Sequence, residues 1–515
     1  MENKLYISAI YDYVVEISGQ TNYKQNEIYH LKDNKDALLM VISATEDRAF
    51  CLIKQNPEEY KIGAEVIRAK VDTKVKTAKN YFGKIIDINS GILFPEVTKE
   101  KFEFYEQSSE IFNVNNNLMS YMPLDEQLKT GYSVIDLLIP VGKGQRELII
   151  GDRKTGKTFI ALNTIINQKD KNVKCIYVAI GQKQSEIASV YNLLKEHGAD
   201  EYTIILTANS DKPYEQYLAP YIAMAHAENV SYEDDVLIVF DDLTKHANIF
   251  REIALLINKP VGKEAFPGDM FYAHARLLER SGKFHNRKSI TALPIIQTVD
   301  NDITSLIASN VISITDGQIV TNSELFALNK YPAIDVNLSV SRIGSGVQNK
   351  LMNQSAKIVG KLYKSFKKQA KLLAVKYDLN DDINSLMLGG IQIEKMFNQK
   401  GVSSYDEKDI YLISRIIQWN LLNNLSDLQI NQAIKFIIEY EKSNATCKKV
   451  VEDLINDTTK DPELVKNYFA FLLNKYSNKF NLQWQLPAAK EFLTTDEKLM
   501  EQIHNKIKNE LKGSK

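Results

Sequence analysis

A chain of 515 residues, 44% hydrophobic and 25% charged with a net charge of −1, has the composition of a multidomain globular protein. That balance gives no electrostatic case for nucleic acid or an anionic membrane surface as a partner. Cys51, Cys175 and Cys447 stand far apart and fit no disulfide or zinc pattern, and no run of 18 apolar residues occurs. Met1-Glu2-Asn3-Lys4 shows no cleavable leader, so a reducing, cytoplasmic setting is expected.

Residues 1–80 read as short strands separated by polar turns: Leu5 to Ile10, Val14 to Ile17, Ala37 to Ile42, Ala49 to Lys54 and Ala64 to Val71. Without a long helical period, this pattern predicts a small β-barrel domain. The segment carries 12 basic and 12 acidic residues, and that neutrality favours a structural barrel over an oligonucleotide-binding one.

From 81 to 355, strands and helices alternate, which predicts a parallel α/β nucleotide-binding domain. The apolar strand Glu147 to Ile150 runs into Gly151-Asp152-Arg153-Lys154-Thr155-Gly156-Lys157-Thr158, and apolar residues at helical spacing follow to Gln168. This is G-x-x-x-x-G-K-[ST] in its strand–loop–helix setting, a phosphate-binding loop. Gly151 and Gly156 let backbone N–H groups face inward on anionic oxygens. Lys157 supplies an ammonium for the β- and γ-phosphates of ATP or ADP, and Thr158 a hydroxyl for Mg²⁺.

Strands then follow at Cys175 to Ile180, Tyr202 to Thr207 and Val236 to Asp241, with helices at Ser185 to His197 and Tyr214 to Asn229 between them. Val236-Leu237-Ile238-Val239-Phe240-Asp241 delivers an acid at the end of a buried strand, where Asp241 can hold Mg²⁺ with Thr158. Ser289 to Gln297 and Asn310 to Val320 read as further strands. Residues 356–515 form a helical domain, with amphipathic segments at Lys357 to Lys376, Asp409 to Asn424, Asp427 to Tyr440, Glu463 to Asn474 and Thr495 to Leu511.

Taken together, several stretches resemble the alpha subunit of F-type rotary ATP synthases. They are Gly144 to Thr158 (with Lys154 where the family has Gln), Tyr177 to Lys183, Phe266 to Asp269, Arg276 to Arg280, Val311 to Gln318 and Pro332 to Arg342. The resemblance implies a β-barrel, a RecA-like P-loop domain and a helical domain. It also implies a hexamer in which three copies alternate with three catalytic beta-type subunits around a gamma-type central stalk. Such a ring would meet the membrane only indirectly, peripheral to its cytoplasmic side, and would bind no nucleic acid.

The resemblance also implies residue roles. Gln182 stands where the catalytic beta subunit has the Glu that orients the attacking water; an amide is a poor proton acceptor, so this subunit would bind Mg-ATP without hydrolysing it. Arg342 matches the residue that reaches the neighbouring beta subunit's γ-phosphate, an arginine finger acting in trans, with Ser339 in the same signature required for activity. Gln399, in Ile393 to Gln399, matches an adenine-contacting Gln, although Gly401 replaces its second Gln.

Other departures imply a specialised paralogue, of a kind associated with motility machinery. The family's stator-docking N-terminal helix is not apparent, Ala308 replaces a Pro, and the C-terminal helices run beyond the usual end. A self-sufficient hexameric motor, secretion-type or Rho-like, is the alternative; Gln182 and the neutral barrel disfavour it.

Overall fold

The computed structural model describes residues 4–54, 56–70, 73–96, 101–113, 118–373, 381–403, 405–456, 458, 461–491 and 495–513. They form two compact units, one of residues 1–128, 141–325 and 333–343, the other of residues 129–140, 326–332 and 344–515.

The first unit opens with a closed barrel of β1 (Leu5–Tyr11), β2 (Val14–Ser18), β3 (Ile28–Leu31), β4 (Leu38–Ala44), β5 (Arg48–Ile53) and β6 (Glu65–Arg68), in the order β1-β2-β5-β4-β3-β6. Alternation explains how so short a domain is built into its unit. Val15, Leu39, Val41 and Cys51 fill the barrel, while their neighbours Val14, Met40 and Leu52 join the core of the α/β layer. The sequence reading lacked β3: Ile28-Tyr29-His30-Leu31 is four residues long, too short for a clear period.

β7 (Lys74–Ala78) and β10 (Phe104–Glu110) pair as a two-stranded ribbon, and β11 (Gln127–Leu128) pairs with β12 (Val141–Gly142). The main sheet contains β8 (Ile85–Ile86), β9 (Ile92–Phe94), β13 (Leu148–Asp152), β14 (Val173–Gln182), β15 (Thr203–Asn209), β16 (Asp235–Asp241), β17 (Ile290–Thr298), β18 (Gly317–Val320) and β19 (Val340–Ser341). Its order is β19-β18-β13-β17-β16-β14-β15-β8-β9, parallel except where β9 and β19 close the two edges antiparallel. β14 and β16 are apolar almost throughout and buried on both faces, as a parallel sheet covered by helices requires. Cys175 lies buried in β14, where it packs as a small hydrophobe.

The covering helices are α2 (Lys157–Ile166), α3 (Gln184–Glu196), α4 (Pro213–Val230), α5 (Leu243–Leu256), α6 (Asp269–Leu278) and α7 (Leu306–Ile314). α7 corrects the sequence reading of Asn310 to Val320 as one strand. Its Ile307, Ala308 and Val311 are buried at helical spacing, and only Gly317 to Val320 extend as β18. Four β-branched residues in a row of nine mimic a strand locally; burial of one helical face overrides that propensity.

The second unit is helical: α1 (Ser133–Leu138), α8 (Ser323–Ala327, begun in the first unit), α9 (Lys350–Leu373), α10 (Asp381–Phe397), α11 (Glu407–Gln418), α12 (Asp427–Ser443), α13 (Ala445–Ile455), α14 (Pro462–Lys479) and α15 (Glu497–Gly513). α1, α10 and α11 pack on α9, and α13 and α15 on α12. The C-terminal helix is integral to this unit, since Met500, Ile503 and Ile507 of α15 are buried. Among the described residues no helix is long and apolar enough to cross a membrane.

Candidate nucleotide-binding site

β13 ends in the loop Gly151 to Gly156, and α2 starts at Lys157. Lys154 and Gly156 both take left-handed backbone conformations, φ 64° and 90°, which turn successive N–H groups toward one side. Among the described residues, the N–H groups of Lys154 to Thr158 have no acceptor in the protein. Gly151 is required sterically: its φ is 154°, and a Cβ there would collide with Thr321. The loop is braced from within, because Thr155 Oγ1 donates to the Asp152 carbonyl at 2.8 Å and lies 2.6 Å from Thr321 Oγ1. The Asp152 carboxylate accepts from Thr298 Oγ1 at 2.7 Å and from the Asn301 N–H at 2.9 Å.

Lys157 is buried, and its Nζ donates to the Asp152 carbonyl. Burial pushes the Lys157 ammonium below the usual lysine range, against the pull of Asp242, Asp241 and Asp152. A polyanion beside it would oppose that effect. Thr158 Oγ1 donates to Asp241 Oδ2 at 2.7 Å, so the two hard oxygen donors expected for Mg²⁺ already face each other. Uncoordinated N–H groups, a partly desolvated ammonium and this hydroxyl–carboxylate pair fit a magnesium-bound nucleoside di- or triphosphate. Arg153 and Lys154 are exposed on the rim.

Asp241 is held from a second side by a residue the motif reading missed. Tyr177 of β14 donates its OH to Asp241 Oδ2 at 2.6 Å. The Gln182 Nε2 donates in turn to Tyr177 OH and to the Asp241 carbonyl, each at 3.1 Å. Gln182 therefore closes a network on the acid, and what it offers there is an amide. The next residue, Asp242, is also buried, and burial together with Asp241 pushes its carboxyl up to about 6. Its carboxylate caps α5, accepting from the Lys245 N–H at 2.9 Å. Only the pairing of a tyrosine and an acid on adjacent strands, visible once β14 and β16 are aligned in register at Tyr177 and Val239, would have exposed Tyr177 from sequence.

Arg342 lies elsewhere. It follows β19, whose Ser341 pairs with Gly317 at the start of β18, while β18 pairs its Gln318 with Leu148 of β13. Arg342 is thus level with the beginning of β13, and the phosphate loop with its end, about 20 Å apart at the rise of a β-strand. An arginine side chain cannot cross that gap, so Arg342 does not serve its own loop. It is exposed, donating to the carbonyls of Thr315 at 3.1 Å and Ile312 at 3.3 Å at the end of α7. Ser339 is buried beside it; its Oγ donates to the Asp335 carbonyl at 2.6 Å and accepts from the Val320 N–H at 2.9 Å, which ties the approach of β19 to β18.

Gln399 belongs to the helical unit, where its amide accepts from the Ser133 N–H and Oγ, both at 2.7 Å, and donates to the Gly131 carbonyl at 3.0 Å. The amide is committed to holding the start of α1.

A closed barrel, a parallel sheet with a phosphate-loop motif at one strand end, an acid–hydroxyl pair beside it and a helical unit define a RecA-like nucleotide-binding ATPase subunit. Residues 131–341 match the ATP synthase alpha/beta family, nucleotide-binding domain. The chain is similar to ATP synthase subunit alpha 2 of Mycoplasmopsis pulmonis, 45% identical over 428 residues, 82% of this chain and 83% of that one. It is 37% identical to ATP synthase subunit alpha 1 of the same organism over 478 residues, covering 92% and 89% of the two chains. With ATP synthase subunit alpha of Acetivibrio thermocellus it shares 37% over 447 residues, 85% and 87%. The chain belongs to the ATP synthase alpha-subunit family and is a subunit of a rotary ATPase or ATP synthase.

Proposed function

We propose that this chain is the non-catalytic, Mg-nucleotide-binding alpha-type subunit of its ring, and that it supplies Arg342 to a neighbouring beta-type catalytic site. The observation that carries this reading is the separation of the two functions on one sheet. The phosphate loop and Asp241 gather at one end of the strands, with Gln182 offering an amide where a water-activating base would be needed. Arg342 stands at the other end, exposed and out of reach of that loop.

In this reading Gly151 to Thr158 hold the phosphates, Thr158 and Asp241 hold Mg²⁺, and the bound nucleotide stabilises the subunit without being turned over. Arg342 would leave the α7 carbonyls to meet charge developing on the transferring phosphoryl group across the subunit boundary. Three copies would alternate with three beta-type subunits around a gamma-type stalk, peripheral to the membrane through the rest of the complex. Greater identity to an alpha 2 than to an alpha 1 of one organism supports a specialised paralogue; motility machinery is the load proposed for it. A contact from Gln399 to adenine would require its amide to leave Ser133 and Gly131.

The test compares the purified chain with the reconstituted ring. The chain alone should bind ATP and show no turnover, and the ring should hydrolyse it. Turnover by the isolated chain would favour a self-sufficient motor instead.

A further inference from the structure

Behind Arg342 lies a buried polar chain to which no role attaches so far. Glu147, the residue before β13, is fully buried, as is Gln145 two positions earlier. Gln145 has no freedom left in its amide. Its Oε1 accepts from the Gly142 N–H at 2.7 Å, and its Nε2 donates to Glu147 Oε2 at 2.6 Å and to Ser341 Oγ at 3.2 Å. Glu147 Oε1 has no hydrogen-bond partner among the described residues. The packing around this carboxyl is tight: a Cβ on Gly317 would strike both Glu147 Oε2 and the Val340 carbonyl.

Placing a carboxyl with an unpaired oxygen in the core is costly, and the group it reaches through Gln145 is Ser341, the residue before Arg342. β19 is only two residues long, so its hold on the sheet is slight without lateral anchors. Burial and the nearby Asp316 push the Glu147 carboxyl well above the usual range, opposed by Gln145 and the Arg342 guanidinium.

We infer that Gln145 and Glu147 are positioning residues for Arg342, fixing the end of β19 through Ser341 so that the guanidinium is presented in one place. The inference rests on the reading of Arg342 as a trans-acting arginine. Glu147 fixes the Gln145 amide, and the amide fixes the serine; loss of the acceptor would let the arginine's base drift. Misplacement of a catalytic group by about 1 Å costs up to about 10² in rate.

Reconstituted rings carrying Glu147→Ala, Glu147→Gln, Ser341→Ala, Arg342→Ala and the double change Glu147→Ala/Arg342→Ala test this. Glu147→Ala should lower kcat about tenfold with KM for ATP within about twofold, and leave the nucleotide content of this subunit unchanged. Glu147→Gln keeps an acceptor facing Gln145 and should recover most of the loss. Ser341→Ala, which leaves the core intact, should lower kcat at least about threefold, and decides alone if Glu147→Ala rings do not assemble. In the Arg342→Ala background, Glu147→Ala should slow the ring no further. Rates within twofold of wild type for both Glu147→Ala and Ser341→Ala would overturn the inference, as would an equal loss from Glu147→Ala in both backgrounds. A near wild-type Arg342→Ala ring would instead remove the arginine reading on which it stands.

Discussion

Thr158 Oγ1 and Asp241 Oδ2, from residues 83 positions apart, meet at 2.7 Å because β13 and β16 deliver the phosphate loop and the acid to the same end of one parallel sheet. If this pair binds Mg²⁺, Asp241→Asn should raise the Mg²⁺ concentration needed to retain nucleotide about tenfold or more, by removing the charged ligand. Nucleotide content of gel-filtered rings across a Mg²⁺ series reads this. An unchanged midpoint would assign the metal elsewhere.

Lys157→Ala should empty the site outright. The buried ammonium feels Asp242, Asp241 and Asp152, and no other cationic residue on α2 could replace it at the phosphates. Bound nucleotide per ring should fall by this subunit's share. Unchanged stoichiometry would refute the phosphate-loop assignment.

Arg342→Ala should slow hydrolysis by the ring about 10² or more while assembly and nucleotide content persist. Arg342→Lys should recover little, because an ammonium on a flexible stem lacks the planar fork. The measurement is kcat of rings purified to equal nucleotide content; a rate near wild type would exclude the trans role.

Three buried histidines set a pH limit on the first unit. Burial lowers His226 and His246 to about 4 and His274 to about 3. Each is neutral when folded and protonates near 6.5 when unfolded, so the unfolded chain binds more protons below 6.5. Stability therefore falls as pH drops through that window, by about 1.4 kcal/mol per pH unit for each histidine. Asp242, raised to about 6, acts with the opposite sign below pH 6. Denaturant unfolding between pH 6.5 and 5 should show this slope, and His226→Gln should make it shallower. An unchanged slope in that variant would mean His226 is protonated in the fold.

The C-terminal helix should prove a stability element. Met500, Ile503 and Ile507 of α15 pack into the helical unit, and Lys506 pairs with Glu439 of α12 at 2.7 Å. Ile507→Asp should cost about 3 kcal/mol or more through lost burial and a desolvated charge. A thermal midpoint unchanged by that substitution would show α15 to be dispensable. Truncation near residue 480 would strip the same packing, so partners of this region are better sought with exposed lysine variants.

The phosphate loop was legible in the sequence because its chemistry leaves few choices. A turn with φ positive at Gly156 and a residue without Cβ at Gly151 are forced by the loop's geometry. The position of Asp241 was legible because it ends an apolar strand. β3 and α7 were not, since four residues carry no period and the β-branched run at Val311 to Ile314 is helical only through its packing. Tyr177 reaches Asp241, 64 positions away, and Gln145 reaches Ser341, 196 positions away, pairings that no local pattern encodes. Gln399 was read by likeness to an adenine contact, yet its visible bonds are to the start of α1, a long-range closure invisible in the motif.

Because the loop and Arg342 occupy opposite ends of the strands, β13 and β18 act as a gauge of fixed length. Side chains alternate faces at every residue, so the smallest insertion that preserves both cores is two residues, about 7 Å. If Arg342 meets a neighbouring subunit's phosphate as proposed, a shift of that size would carry it past its target. These strands are therefore not free to vary in length by single residues, and in the proposed ring the spacing between neighbouring sites would be quantised by the pleat.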